Sequence, residues 1–223
     1  GRLNCESLTL DDQSAPAWAD DVVAELKSLP NVRVMHRTTI IGAFDHGIYG
    51  AVERISDHLI VPDLGKPRQI LWRIYTKRTI LATGAIERPI AFENNDRPGI
   101  MLASAIRTYA NRFAVAANKK IVIFTNNDDG HRTAKDLHAM GVEVCGVIDV
   151  RADAPRSLDY EVLHGQVVDT KGRLGLNQVK IRLENGNIRS LDCGALGVSG
   201  GWNPNVHLTC HQRGRPTWRD DIA

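Results

Sequence analysis

The chain has 223 residues, 43% apolar and 24% charged, ordinary proportions for a soluble globular protein with enough core for one or two domains. Its formal net charge of +2 is too small to argue for nucleic acid or a membrane surface as a partner. Cys5, Cys145, Cys193 and Cys210 lie far apart with no C-x-x-C, which points to free thiols in a reducing compartment and away from a disulfide scaffold or a zinc ribbon. No apolar run approaches the roughly 20 residues of a membrane helix, and "GRLNCESLTL" lacks a signal-peptide core, so a cytoplasmic protein is expected.

In chain order, Ala17 to Leu29 reads as an amphipathic helix, with Ala19, Val22, Val23 and Leu26 at helical spacing and Pro30 ending it. "NVRVMHRTTIIGAF" is a β-rich run that turns at Asp45 to Gly47, and "IYGAVERI" returns as the second arm of a hairpin. After a loop with Pro62, Gly65 and Pro67, "QILWRIYTKRTILATGA" predicts two short strands flanking Lys77 and Arg78. "IERPIAFENNDRPG", with three prolines and no periodicity, reads as a connector between domains. A helix is predicted over Met101 to Phe113, with Leu102, Ala105, Ile106, Tyr109 and Phe113 on one face.

Residues 120 to 150 read as a βαβ unit: strand Ile121 to Phe124, helix His131 to Met140, strand Val142 to Val150. "EVLHGQVVDTKGR" and "NQVKIRLENGNIRSLDCGAL" follow as strands, with "ENGN" as a hairpin turn. The "ALGVSGGWNPN" stretch is a strand running into a glycine pair. The tail "HQRGRPTWRDD" is locally basic but closed by Asp220 and Asp221, which suits a solvated surface or a subunit contact.

A dinucleotide-binding βαβ unit would carry G-x-G-x-x-G between its strand and helix, where this chain has Thr125, Asn127 and Gly130 in the glycine places. Bare backbone N–H groups at a helix start hold pyrophosphate. Here Asp128 and Asp129 stand at that spot. A carboxylate about 4 Å from a phosphate costs on the order of 1 to 4 kcal/mol. The aspartates suit a helix N-cap instead, so this loop is expected to cap a helix and hold no phosphate. Asp149, in the usual place of a ribose-binding acid, is then expected to be a relic or a surface residue. "TILATGA" has the small residues that let backbone approach a nucleotide, and so does the glycine pair Gly200 and Gly201. His207, Cys210 and His211 in "HLTCH" fit no common structural zinc spacing, and no catalytic triad or carboxylate pair stands out.

"LATGAIERPIAFENNDRPGIMLASAIRTYANRF", "VIFTNNDDGHRTAKDL", "VSGGWNPNVHL" and the run from Asn31 to Leu59 together resemble the alpha subunits of heterotetrameric sarcosine oxidases, from about Ala17 to Arg219. The resemblance implies an α/β, glutathione-reductase-like two-domain dinucleotide-binding fold of the FAD/NAD(P) type, incomplete at the N-terminus. Residues 1–97 with 195–223 would be part of the first, NAD-binding domain, and 98–194 an inserted second domain with a degenerate phosphate loop. The first strand with its glycine loop would precede Gly1, and a folate-binding domain would follow Ala223. The resemblance also implies NAD in this subunit, FMN shared with a beta subunit, FAD within that beta subunit, and smaller subunits besides. The complex would oxidise sarcosine to glycine, formaldehyde and hydrogen peroxide. Transferred to this chain, the cofactor contacts would be Arg37, Thr38 and Thr39, then Ala82, Thr83 and Gly84, and finally Gly200, Gly201, Trp202 and Asn203. A non-catalytic scaffold and a subunit of a related amine or opine dehydrogenase are the competing readings. A disulfide reductase is disfavoured because it would need a redox cysteine pair.

Overall fold

The structure, a computed structural model, describes residues 9–219. Cys5, Asp220 and Asp221 lie outside that range. In chain order the elements are β1 (Thr9–Leu10), β2 (Gln13–Ser14), α1 (Ala15–Ser28), β3 (Thr38–Phe44), β4 (Ile48–Arg54), β5 (Gln69–Tyr75), β6 (Ala85–Glu87), β7 (Ile100–Leu102), α2 (Ala103–Phe113), β8 (Lys120–Thr125), α3 (Asp128–Ala139), β9 (Glu143–Asp149), β10 (Val162–Lys171), β11 (Gln178–Leu183), β12 (Ile188–Asp192), β13 (Ala195–Ser199), β14 (Trp202–Pro204) and α4 (His207–His211). Contacts divide the chain into two units: a larger one, residues up to Trp18 with Ile86–Asn203, and a smaller one, Ala19–Ala85 with the residues from Pro204 on.

The larger unit is built on a mixed sheet of order β12-β11-β10-β9-β8-β13-β7. Strands β10, β9, β8, β13 and β7 are parallel, and β10, β11 and β12 form an antiparallel meander. Strands β8 and β13 read as nearly unbroken apolar runs because both of their faces are covered. Ile121 and Ile123 face one way, with Ile106 of α2 and Ala134 and Leu137 of α3. Val122 and Phe124 face the other, against Val179 and Ile181 of the meander. Each such fully buried aliphatic side chain contributes about 1.5 to 3 kcal/mol.

Two glycines set how closely the helices approach. A Cβ on Gly197 would stand 2.7 Å from Ile123 Cδ1 and 3.4 Å from the Ala103 backbone, so α2 can lie directly on β13. A Cβ on Gly130 would stand 2.4 Å from Thr125 Cβ, so α3 meets the end of β8 at a distance only glycine permits.

The structure departs from the sequence reading at several places. The expected helix start at Met101 and Leu102 is β7, and the buried face of α2 is Ala103 and Ile106, with Tyr109 and Phe113 about half exposed. The proline-rich stretch after Ile86 is no free linker: Ile90 and Phe92 pack on the larger unit's core, and Arg97 donates to Thr170 Oγ1 and the Gly172 carbonyl. Strand β13, expected with the first domain, is hydrogen-bonded between β8 and β7 of the larger unit. Thr79 to Gly84 is not a strand, because the described chain sets no neighbouring strand beside it.

In the smaller unit β3, β4 and β5 form an antiparallel meander in that order, turned first at Asp45–Gly47, where His46 has φ +60° and Gly47 φ +72°. One face buries Ala43, Tyr49 and Ala51. The Ala43 N–H donates to His211 Nδ1 of α4, so this histidine is engaged in the fold. No helix among the described residues is long and apolar enough to cross a membrane.

Gly130→Ala should destabilise the protein by about 2 kcal/mol through overpacking against the buried Thr125. A shift of the urea midpoint at unchanged slope would measure it, and an unshifted midpoint would refute the close-approach reading.

Candidate functional site

Strand β8 feeds the β9 and β10 side of its sheet, while β13 lies on its other flank, so the topological switch point falls between β8 and β13. Ligands of open α/β sheets bind beyond the strand ends at such a point. Here that place holds the protein's own side chains. Asn127 Nδ2 donates to the Ser199 carbonyl and to Ser199 Oγ, both at 3.1 Å, and Asn126 N–H donates to the same carbonyl at 3.2 Å. Asn126 Nδ2 reaches the Gly200 carbonyl at 3.5 Å.

The helix start is capped, as expected, but by a different residue. Asn127 Oδ1 accepts the Asp129 N–H at 3.0 Å, while Asp128 and Asp129 sit in the first turn. Thr125 Oγ1 accepts the Asn127 N–H and donates to the Asn127 carbonyl, which tightens the loop further.

Asp149 corrects the expectation of a surface residue: its side chain is 0% exposed. It sits at the end of β9, where Arg151 Nη2 donates to Oδ2 at 2.9 Å and the Arg151 N–H donates to Oδ1 at 2.9 Å. His131 Nε2, from the first turns of α3, donates to Oδ2 at 2.7 Å. Arg151 also pairs with Asp128 at 2.9 Å. Burial alone would push the Asp149 carboxyl up, but the hydrogen bonds from Arg151 and His131 outweigh it and hold the carboxyl below its ordinary value. The acid that could hold a ribose is therefore spent on internal partners. Sequence reasoning missed His131 and Arg151; the signal was a histidine in the helix's first turns, with Asp149 and Arg151 two apart at the strand end.

The smaller unit offers a different environment. A cavity of about 620 Å³ lies on the covered face of its sheet, within the roughly 300 to 1,000 Å³ usual for ligand sites. Ile40, Tyr49, Ile74 and Leu208 supply apolar wall, and Thr38, Thr39, Thr76, Thr79 and Thr83 bring hydroxyls. Asn205 and His207 complete the polar lining, and no carboxylate lines it. Thr83 Oγ1 donates to the Asn205 carbonyl at 2.5 Å, and Asn205 returns bonds to Thr83 O and, from its backbone, to Gly84 O. These bonds fix the Thr79–Gly84 segment in place of strand pairing.

Four of the expected contact residues, Thr38, Thr39, Ala82 and Thr83, thus line one cavity. Arg37, with φ +50°, precedes β3 and accepts the Arg54 N–H on its carbonyl at 3.0 Å. Gly84 has φ +68° with open space where a Cβ would stand. Gly200, Gly201, Trp202 and Asn203 belong to the larger unit. There a Cβ on Gly200 would come 2.9 Å from the carbonyls of Arg88 and Pro89, and Gly201 O accepts the Arg88 N–H at 2.8 Å, so this pair braces the neighbouring segment. The cavity residues missed by the sequence, Ile40, Tyr49 and Ile74, were signalled by alternation along the meander.

The described cysteines are free, and burial pushes the Cys193 thiol up to about 12, far from a reactive thiolate. His207, Cys210 and His211 lie on α4, where Cys210 Sγ faces the Val206 carbonyl and His211 is held by Ala43. Among the described residues no group of three potential ligands is placed to hold a metal.

The parallel strands with α2 and α3 on one face and a meander on the other form a dinucleotide-binding type of fold, and solved structures agree. The chain superposes on L-proline dehydrogenase from P. horikoshii with a TM-score of 0.70 at 18% identity, covering 98% of this chain and 38% of that one. For the NAD-dependent persulfide reductase from A. fulgidus the TM-score is 0.58 at 18% identity, over 84% and 35%. In sequence it is a relative of the sarcosine oxidase alpha subunits. It is 40% identical over 228 residues to that of Rhizobium meliloti (strain 1021), covering 100% of this chain, and 40% identical to that of Corynebacterium sp. (strain P-1), covering 96%. The chain spans 23% and 24% of the length of those two relatives. No family model matches it.

Asp149→Asn should destabilise the protein by about 3 kcal/mol at neutral pH, because Arg151 and His131 lose their buried partner. Since the folded carboxyl titrates below its ordinary value, its stabilising effect is complete above the unfolded pKa of about 4 and is lost as pH falls through the folded value. Denaturation of both proteins from pH 7 to pH 2 should therefore show the gap closing only in acid; a gap constant with pH would refute the assignment.

Proposed function

We propose that this chain is the nucleotide-holding part of a sarcosine-oxidase-type alpha subunit, binding the adenosine portion of NAD in the cavity of its smaller unit. The observation that carries this reading is the contrast between the two units. The switch point of the larger unit is filled by Asn126, Asn127 and the Asp149 cluster. The smaller unit keeps an apolar cavity with a hydroxyl rim around Thr38, Thr39, Ala82 and Thr83. Such a lining fits an adenine ring against aliphatic walls and ribose hydroxyls at the threonines. The absence of a carboxylate from the lining spares phosphate groups a repulsion. NAD when bound supplies hydride-acceptor or structural chemistry, while this chain's residues bind and orient it.

In this reading Arg37 and Gly84 flank the cavity as backbone approach points. Gly200, Gly201, Trp202 and Asn203 form a second candidate approach, on the separate ground that they follow the end of β13 and that Gly201 has φ +98°, a turn that glycine favours. The larger assembly would be a cytoplasmic complex with a beta subunit and smaller subunits, with FMN shared between alpha and beta and FAD in beta. Its reaction would be oxidative demethylation of sarcosine to glycine, formaldehyde and hydrogen peroxide. This rests on kinship with proteins named sarcosine oxidase subunit alpha.

Ala82→Trp should fill the cavity and weaken NAD binding, read by calorimetric titration, by about tenfold or more. Retained affinity in a variant that keeps its native melting temperature would place the nucleotide elsewhere.

A further inference from the structure

Beyond the end of β9 the larger unit carries another depression, of about 300 Å³, at the lower end of the range usual for ligand sites. Val150 and Ala152 wall it on one side, and the facing stretches of β10 and β11 form its floor. Gly165 pairs with Leu183 and Gln166 with Arg182. The Glu184 N–H donates to the His164 carbonyl at 3.2 Å, so Glu184 stands opposite His164. Paired residues share a side of a sheet, and so do alternate residues of a strand. His164, Gln166, Arg182 and Glu184 therefore emerge together as a two-by-two block of polar side chains.

The same face shows how β11 neutralises a charge internally. Lys180 has Asp169 opposite and binds it at 2.6 Å. Two residues on, Arg182 faces a neutral glutamine, and Glu184 faces a histidine whose ring is already oriented. His164 Nδ1 donates to the Arg151 carbonyl at 3.0 Å, which in the neutral ring leaves Nε2 as an acceptor. Among the described residues neither the Arg182 guanidinium nor the Glu184 carboxylate has an ion-pair or hydrogen-bond partner. Positions two apart along a strand lie about 6.8 Å apart. One small molecule can therefore meet both charges, with a charge-assisted bond at each end. One cation beside one carboxylate suits a zwitterion, whereas a phosphate would be repelled by Glu184.

We infer that this depression binds a small zwitterionic amino acid, its carboxylate on Arg182 and Gln166 and its ammonium on Glu184 and His164 Nε2. Any short aliphatic group of the ligand lies against Val150 and Ala152, and the volume excludes a long side chain. Arg151 ties the site to the interior: its carbonyl holds His164, and its guanidinium holds Asp149. The acceptor for the ammonium is thus positioned by the same arginine that neutralises the buried carboxylate. The residues of this site are separate from those of the nucleotide cavity, so either reading can fail alone.

The test uses the natural full-length polypeptide with free glycine as the probe, followed by saturation-transfer NMR titration. Free glycine should bind saturably with a Kd of about 1 mM or tighter, which the ligand efficiency of very small molecules allows. Arg182→Gln and Glu184→Gln should each weaken binding by about tenfold or more. Their melting temperatures should stay at the wild-type value, since both side chains are exposed and make no internal bond. Acetate and methylamine, each carrying one of the two charges, should bind about tenfold more weakly than free glycine or worse. Absence of saturable binding would overturn the inference, including the case in which the remaining polypeptide shuts the depression. Binding that survives both substitutions would place the amino acid elsewhere and overturn it equally. Acetate bound as tightly as glycine would mean a plain anion site and contradict the zwitterion. An equal loss in Lys180→Gln, on the same face but outside the depression, would trace the effect to net charge and count against the site.

Discussion

A carboxylate buried without exposure must be neutralised where it stands, and in this protein Asp149 imposes that constraint on the whole strand-helix-strand unit. Arg151 and His131 meet it from two directions, one two residues along the chain and the other from α3. Arg151 then extends to Asp128 in the first turn of α3, so the end of β9 and the start of α3 are joined through shared charge. Across the strand ends Asn127 completes the closure by capping α3 with its oxygen and bonding Ser199 with its nitrogen. One amide serves both elements. The result is a dinucleotide-binding type of fold in which the strand-to-helix turn is tied up by internal hydrogen bonds and ion pairs.

That closure has a consequence for the chemistry of the rest of the molecule. A bound dinucleotide at the β8–α3 turn would have to break bonds to Ser199, displace Asp128 from Arg151 and accept two carboxylates at the phosphate position. Each of those costs is of the order of a buried hydrogen bond or an ion pair. The smaller unit demands none of this, since its cavity is bounded by threonines already bonded among themselves and to backbone. Its sheet divides its work by face: one side wraps the cavity, and the other presents Phe44 and Tyr75 outward.

Periodicity made the larger unit's strands and helices legible: the alternating and continuous apolar runs of β8, β9 and β13 and the turn at Asn185 to Asn187 were all readable. The electrostatic unsuitability of the Asp128–Asp129 turn was readable too, because like charge at a helix start is a local fact. What could not be read were long-range partners. His131 and Asp149 are 18 residues apart, and although each stands at a telling place, only the closed fold shows that they meet. Thr79 to Gly84 has strand composition but no strand beside it, and pairing is a property of neighbours, not of propensity. Met101 and Leu102 fit a helix by spacing, yet pair with β13 because Gly197 and Val198 present a free edge there. Of the cavity, Thr38, Thr39, Ala82 and Thr83 could be named from sequence, while Thr76 and Leu208 needed the fold to bring them together.

Hydrogen exchange followed by mass spectrometry, with and without saturating NAD, compares the two units in a single experiment. Ligand should slow exchange at Thr38 to Ile40 and at Thr79 to Thr83 and leave Thr125 to His131 unchanged. Slowed exchange confined to Thr125 to His131, with the cavity segments unaffected, would contradict the account.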